Sequence, residues 1–141
     1  MKVEKLMIGD WVSLFQGNPD GSSCNVQVSY IGEYGEVGIE GCEGYTSANC
    51  NLLFPIPLTA EILERNGFEN DFYHDECVAD YHYVRLEGYS YHEELILIQW
   101  CNGKLNVVNE LICDVDMYDC YYVHQLQHAL RLCEIEKEIK L

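Results

Sequence analysis

The sequence predicts an α+β fold: an N-terminal SH3-like bent β-sheet or barrel, then a short helix, an antiparallel β-hairpin and a C-terminal helix. Three observations carry that prediction. Short apolar runs punctuated by glycine turns fill residues 1–57, the texture of a small, strongly bent sheet. At Leu58-Thr59 the pattern changes to a capped helix. Near the other end, Val123, Leu126, Leu130 and Cys133 recur at helical spacing and define one apolar face. The expected organisation is therefore a β subdomain over 1–57 and an α+β subdomain over 58–141, together one compact unit.

Each element follows from its residues. Gly9-Asp10 marks a turn before a strand from Trp11 to Phe15. GNPDGSS is a dense reversal signal. NVQVSYI alternates and places Val26, Val28 and Tyr30 on one face. EVGIE reads as a short third strand, and GCEGYTSANCN as an exposed loop. LLFPIPL is expected to leave the sheet, because Pro55 and Pro57 have no place in a central strand. Thr59 can cap a helix over AEILERN, and Asn66-Gly67 supplies its stop. Leu95 to Trp100 is nearly continuous apolar sequence, as in a central strand covered on both faces. Asn102-Gly103 then favours a tight hairpin. The closing IEKEIKL is expected as an edge strand guarded by its charges.

Composition limits function more than it defines it. At 141 residues with 48% apolar content, the chain can bury a real core. Eleven tyrosines against four phenylalanines suit thin layers, where a ring is covered while its hydroxyl reaches water. The formal charge is −16. Between Leu6 and Val84 there are thirteen acidic residues and one basic residue, Arg65. Counterion release from a phosphate backbone needs Lys and Arg, so direct nucleic-acid binding is not expected, nor adsorption to anionic lipid. The start MKVEKLMIGDWV has no apolar run of signal-peptide length, and no membrane-spanning stretch follows. A cytoplasmic protein with reduced, mostly buried thiols is expected.

No motif amounts to an active site. His124 and His128 are four apart, but Gln125 stands where a zinc-protease helix carries its catalytic glutamate. The angular positions place both histidines on the solvated side of the helix, away from the Val123–Leu130 stripe. His74, Cys77 and His82, with Asp75, Glu76 or Asp80, are the other metal candidates; their spacing fits no structural zinc pattern. Cys120 with His124 is a poor nucleophilic pair, since Asp116 and Asp119 oppose a lowered thiol pKa. Gly32, Gly35 and Gly38 do not form a strand-to-helix phosphate loop.

YVHQLQHALRLC, IEKEI, FPIPLTAEILERNGF and LMIGDWV resemble a group of small proteins of Bacteroides-type gut bacteria and of their phages and mobile elements. The matching positions are Ile8, Gly9, Trp11, Val12, Pro55, Pro57, Leu58, Thr59, Gly67, Phe68, Val123, His124, Leu126 and Gln127. Glu134 departs from the group, which carries glycine there. The resemblance implies a bacterial or phage cytoplasm and a shared compact fold, and it implies no activity. It marks Leu126, Leu130 and the Pro-Ile-Pro-Leu-Thr corner as structural, with His124 and Gln127 hydrogen-bonding the helix to a neighbouring strand.

The leading functional expectation is a non-enzymatic protein that works by protein–protein contact, without cofactor. The plain reading of the acidic charge is solubility; the sharper one is an acidic, tyrosine-bearing face, with Glu33, Glu36, Glu40, Glu43, Tyr34 and Tyr45 as interaction residues, that docks on a basic partner and imitates DNA in its charge. The alternative is a metal-dependent enzyme using the His and Cys ligands named above.

Overall fold

The computed structural model describes residues 1–17, 21–71, 78–84, 95–100, 105–109, 118–132 and 135–141. The chain divides into two compact units, Met1–Pro57 with Tyr122–His124, and Leu58–Tyr121 with Gln125–Leu141.

The first unit is an open five-stranded antiparallel sheet. Its strands are β1 (Trp11–Phe15), β2 (Ser23–Ile31), β3 (Glu36–Glu40), β4 (Ser47–Asn49) and β5 (Leu53–Pro55), in the order β4-β3-β2-β1-β5. The predicted α+β class holds, but no ladder joins β4 to β5 among the described residues, so the sheet is not closed. The alternation of β1 buries Val12 and Leu14, which join Val26, Val28, Val37, Ile39 and Leu53 on a dry inner face. Each of these seven is at most 2% exposed. A turn at Met7–Asp10 leads into β1. Gly9 there has φ 88, and Asp10 accepts the Met7 N–H at 2.8 Å through Oδ2. Two backbone bonds clamp this turn to β2, Gly9 N–H to Val28 O at 2.7 Å and Val28 N–H to Asp10 O at 2.9 Å.

Three expectations for this unit are corrected. The stretch expected as a loop contains β4, whose Ser47 faces Gly38 and whose Ala48 faces Val37. The proline-bearing segment does not leave the sheet at once. Leu53 pairs with Leu14, Phe54 with Ser13 and Pro55 with Val12, which proline tolerates because β5 is an edge strand. Finally, Tyr30 does not share a face with Val26 and Val28. The register shifts between Val28 and Tyr30, so that Val28 faces Ile39 while Tyr30 faces Gly38. A bulge adds one residue to β2 and turns Tyr30 outward.

The second unit begins with α1 (Ala60–Arg65). Thr59 Oγ1 accepts the Ile62 N–H at 3.3 Å, the cap its position predicts. Gly67 at φ 74 ends the helix. Phe68 N–H reaches Leu63 O at 3.1 Å and Gly67 N–H reaches Glu64 O at 2.9 Å, the paired bonds of a Schellman closure. Leu63 and Phe68 are both buried. The expected hairpin is the middle of a larger meander. β6 (Glu69–Asp71), β7 (Val78–Val84), β8 (Leu95–Trp100), β9 (Leu105–Asn109) and β10 (Tyr118–Asp119) follow in the order β10-β9-β8-β7-β6. The apolar run Leu95–Trp100 is the central strand, as expected.

Helix α2 spans Val123–Leu132. Val123, Leu126, Ala129 and Leu130 are at most 1% exposed, as the apolar stripe predicts. Gln125 Oε1 accepts the Tyr121 N–H at 2.9 Å and so secures the start of the helix. Cys133 and Glu134 lie outside the described residues.

The segment Ile135–Leu141 does not form the expected edge strand; it takes part in no ladder among the described residues. Asn66, 6% exposed, replaces one. Its Nδ2 donates to Lys140 O at 2.7 Å and to Ile62 O at 2.7 Å, while its Oδ1 accepts the Lys140 N–H at 2.8 Å. A single side-chain amide thus mimics a strand's donor and acceptor, and Ile139 beside it is 1% exposed.

Replacing Asn66 with Ala should therefore cost about 2–4 kcal/mol, because Lys140 is left with an unmatched donor and acceptor. Asn66→Asp keeps the acceptor and loses both donated bonds, so urea denaturation should show it nearly as destabilised. A midpoint unchanged in both variants would contradict the clamp.

Candidate interaction surface

The dry inner face of the first sheet decides what the outer face shows, since alternate residues of a strand point to opposite sides. On β3, Val37 and Ile39 point inward, which leaves Glu36, Gly38 and Glu40 outward. The Tyr30 ring lies across Gly38, and any side chain there would collide with Tyr30 Cδ1 and Cε1. Glycine is required here so that the ring can cover the backbone. The Tyr30 hydroxyl donates to Glu36 Oε1 at 3.1 Å. By accepting that bond, the Glu36 carboxylate pushes the phenol above its ordinary pKa, with desolvation adding in the same direction.

Beyond β2 the chain reverses through the tight turn Glu33–Gly35. Tyr34 has φ 57 and Gly35 has φ 82, and the Glu36 N–H closes the turn on Glu33 O. Two successive positive φ values belong to hairpin turns that favour Asn, Asp or Gly at the first position. Tyr34 is the sole non-glycine with positive φ among the described residues. It is also 97% exposed. Gly35 sits close to Cys50, whose Sγ would be 3.1 Å from an added Cβ.

All six expected interaction residues, Glu33, Tyr34, Glu36, Glu40, Glu43 and Tyr45, are exposed. They do not converge on one patch. Glu33, Tyr34 and Glu36 gather at one end of β3, with Tyr30. Glu40, Glu43 and Tyr45 sit at its other end, past a strand about 13 Å long. Tyr30 joins the surface unforeseen, because the alternation of NVQVSYI gives no sign of the bulge.

The outer face also carries a feature that sequence reading missed. Phe15 and Phe54, 40% and 51% exposed, meet edge to face with centroids 6.5 Å apart and planes at 81°. With Ser13, Asn25, Pro55 and Pro57 they line an open groove of about 380 Å³. The signal was available in outline: each phenylalanine directly follows an inward leucine, Leu14 or Leu53, and so must point outward.

The remaining motif residues divide between fold and surface. Trp11 and Pro55 are half-buried, and Pro57, Thr59 and Gly67 are exposed. Leu126 and Leu130 are core residues. His124 is not on a wet face: it is 5% exposed and stacks on Tyr122, with centroids 5.9 Å apart and planes at 13°. Gln127 is buried as well, at 6%, and His128 is half-buried. The angular reading failed because burial on α2 wraps well beyond the apolar stripe. Pro57 forms an isolated antiparallel bridge with Tyr122, and the Val123 N–H bonds Ile56 O at 3.0 Å.

Of the metal candidates, His74 and Cys77 lie outside the described residues, and His82 is on β7 opposite Leu97 and Asn70. Among the described residues no three His, Cys, Asp or Glu side chains are grouped to hold a metal ion. Cys120 is fully buried, and desolvation pushes its thiol up to about 12, the opposite of what a nucleophile needs. No described helix is long and apolar enough to cross a membrane. Comparison with known proteins found no counterpart: no family model matches the chain, and neither does any curated protein or solved structure.

Two outcomes follow for single residues. Tyr34→Gly relieves the left-handed strain and removes no buried contact, so unfolding stability should rise by about 0.5–1 kcal/mol; a loss would show that the ring packs on the fold. Native Cys120 should resist iodoacetamide at pH 8 and become alkylated only on denaturation, as read by peptide mass spectrometry. Rapid native labelling would contradict its burial.

Proposed function

We propose that this is a non-enzymatic protein that acts by protein–protein contact. Its docking surface is the Glu33–Gly35 turn with the outer face of β2 and β3, and its partner is a basic protein. Tyr34 is the observation that carries this reading. A large ring held wholly in solvent, on a backbone that costs free energy to maintain, contributes nothing to the fold. Such a ring gains when a partner covers it, as tyrosines at interface centres do. Tyr30 beside it is fixed by Gly38 and Glu36 and needs little reordering on binding.

Charge sets the partner's sign. From Leu6 to Pro57 the sequence holds no Lys, Arg or His, so the Glu33 and Glu36 group has no neutralising residue in that span. The second group, Glu40, Glu43 and Tyr45, extends the acidic surface along β3. A nucleic-acid-binding protein matches this pattern best, with the carboxylates standing in for phosphates. The resemblance to proteins of gut bacteria and their mobile elements favours a bacterial or phage cytoplasm as the setting.

We infer that the first unit is SH3-like in its strand arrangement, as a bent open sheet and not a closed barrel. Its strand order supports this, with β5 beside β1 and a meander through β2, β3 and β4. So does the 3₁₀ turn Cys50–Leu52 that joins β4 to β5, and so does the bulge that bends β2.

The test is a pull-down from a lysate of expressing cells, eluted along a salt gradient with three baits: wild type, Tyr34→Gly, and Glu33→Gln with Glu36→Gln. A basic protein should elute from wild type as salt rises and bind each variant at least about tenfold less, the scale of losing a central aromatic or a charge pair. Binding that ignores both salt and Tyr34 would overturn the proposal. Tyr34→Gly is expected to fold at least as stably as wild type, and its unfolding midpoint, measured alongside, separates lost binding from lost folding.

A further inference from the structure

Cys24 and Cys42 are far apart in sequence, yet one lies at the start of β2 and the other just past the end of β3, its neighbour in the sheet. Gln27 faces Glu40 and Val28 faces Ile39, so the start of β2, with Cys24, lies beside the chain that leaves β3 through Gly41. Gly41, at φ 98, ends β3 and redirects the chain. Cys42 then turns into the core at 8% exposure, while the half-buried Cys24 packs against that same core cluster. Cys24 Sγ lies 3.7 Å from the carbonyl oxygen of Gly41, the residue next to Cys42. Gln16 Nε2 donates to Cys42 Sγ at 3.0 Å and helps to fix its rotamer.

We propose that Cys24 and Cys42 form an oxidisable dithiol, which a hydroperoxide converts to a disulfide that pins the start of β2 to the β3–β4 turn. Cys24 is the more accessible thiol and reacts first. Its thiolate attacks the peroxide oxygen, the O–O bond breaks, and a sulfenic acid forms as an alcohol or water leaves. Cys42 then attacks that sulfur, giving up its proton, and hydroxide leaves as water. Two thiols and one hydroperoxide thus yield one disulfide, one water and one alcohol, or two waters if hydrogen peroxide is used. The two electrons come from the sulfurs.

The neighbourhood also sets the pace. The Cys42 side chain hydrogen-bonds the Cys24 thiol, and with some desolvation this pushes the Cys24 pKa up. Less Cys24 is then thiolate near neutrality, so the pair stays reduced under mild conditions and reacts faster as pH rises. The bridge closes a loop of about 19 residues, the size range in which disulfides stabilise strongly. That loop includes Tyr30, Glu33, Tyr34, Glu36 and Glu40, so oxidation would stiffen the surface assigned to partner binding.

The test uses the full chain with hydrogen peroxide at pH 8, and non-reducing digestion after glutamate. Glu33, Glu36 and Glu40 separate the two cysteines, whereas no Lys or Arg lies between them. Expected is a Cys24–Cys42 linked peptide, about 2 Da lighter than its reduced halves combined. The melting midpoint should rise by about 10 °C and return on adding dithiothreitol. Cys24→Ser, a change at a half-buried position, should keep the reduced protein's melting point and lose the oxidative rise. Cys24 found paired elsewhere, or oxidised to sulfinic acid with Cys42 still free, would overturn the proposal.

Discussion

Seven side chains on the inner face of the first sheet, from β1, β2, β3 and β5, are sealed from water. A one-residue slip of any strand would carry its apolar set to the solvent side. Register is therefore fixed nearly everywhere by burial. The exception is the bulge between Val28 and Tyr30, which changes faces within a single strand. Without it Tyr30 would point toward Val37 and the core. With it, the ring lies over Gly38 and its hydroxyl reaches Glu36. The outer surface is thus a consequence of the core, altered at one position.

That surface combines order with strain. Tyr30 is held by Gly38 beneath it and Glu36 at its tip. Tyr34, a few residues on, occupies a conformation that favours glycine and has no cover. A rigid ring stands beside a fully solvated one, amid carboxylates with no nearby cation in sequence. The acidic charge alone would say only that the protein stays dispersed. The thiol pair at the far side of the same β2–β3 hairpin links this surface to redox chemistry through the backbone that both share.

Much of the architecture was legible because local rules and burial agree. Thr59 caps α1 and Gly67 closes it, as residue types at those positions dictate, and Leu95–Trp100 takes the central place in its sheet that an apolar run predicts. The misses share a cause: each depends on a partner distant in sequence. β4 is short and polar, and it forms because β3 offers it an edge. Asn66 reads as a helix stop, yet its amide also clamps Lys140, 74 residues away. His124 looked solvated on a helical wheel, which shows one helix and nothing that covers it. Of the surface, the exposed acids and tyrosines were readable as types, but their split into two groups and the addition of Tyr30, Phe15 and Phe54 needed the register.

The most direct check of the bulge is a proton NMR measurement of contacts between the Tyr30 ring and its surroundings. Strong cross-peaks from the ring to both Gly38 Hα protons are expected, with those protons shifted upfield by the ring current. Cross-peaks from Tyr30 to the Val26 and Val28 methyls, with Gly38 at ordinary shifts, would place the ring in the core and contradict the surface as described.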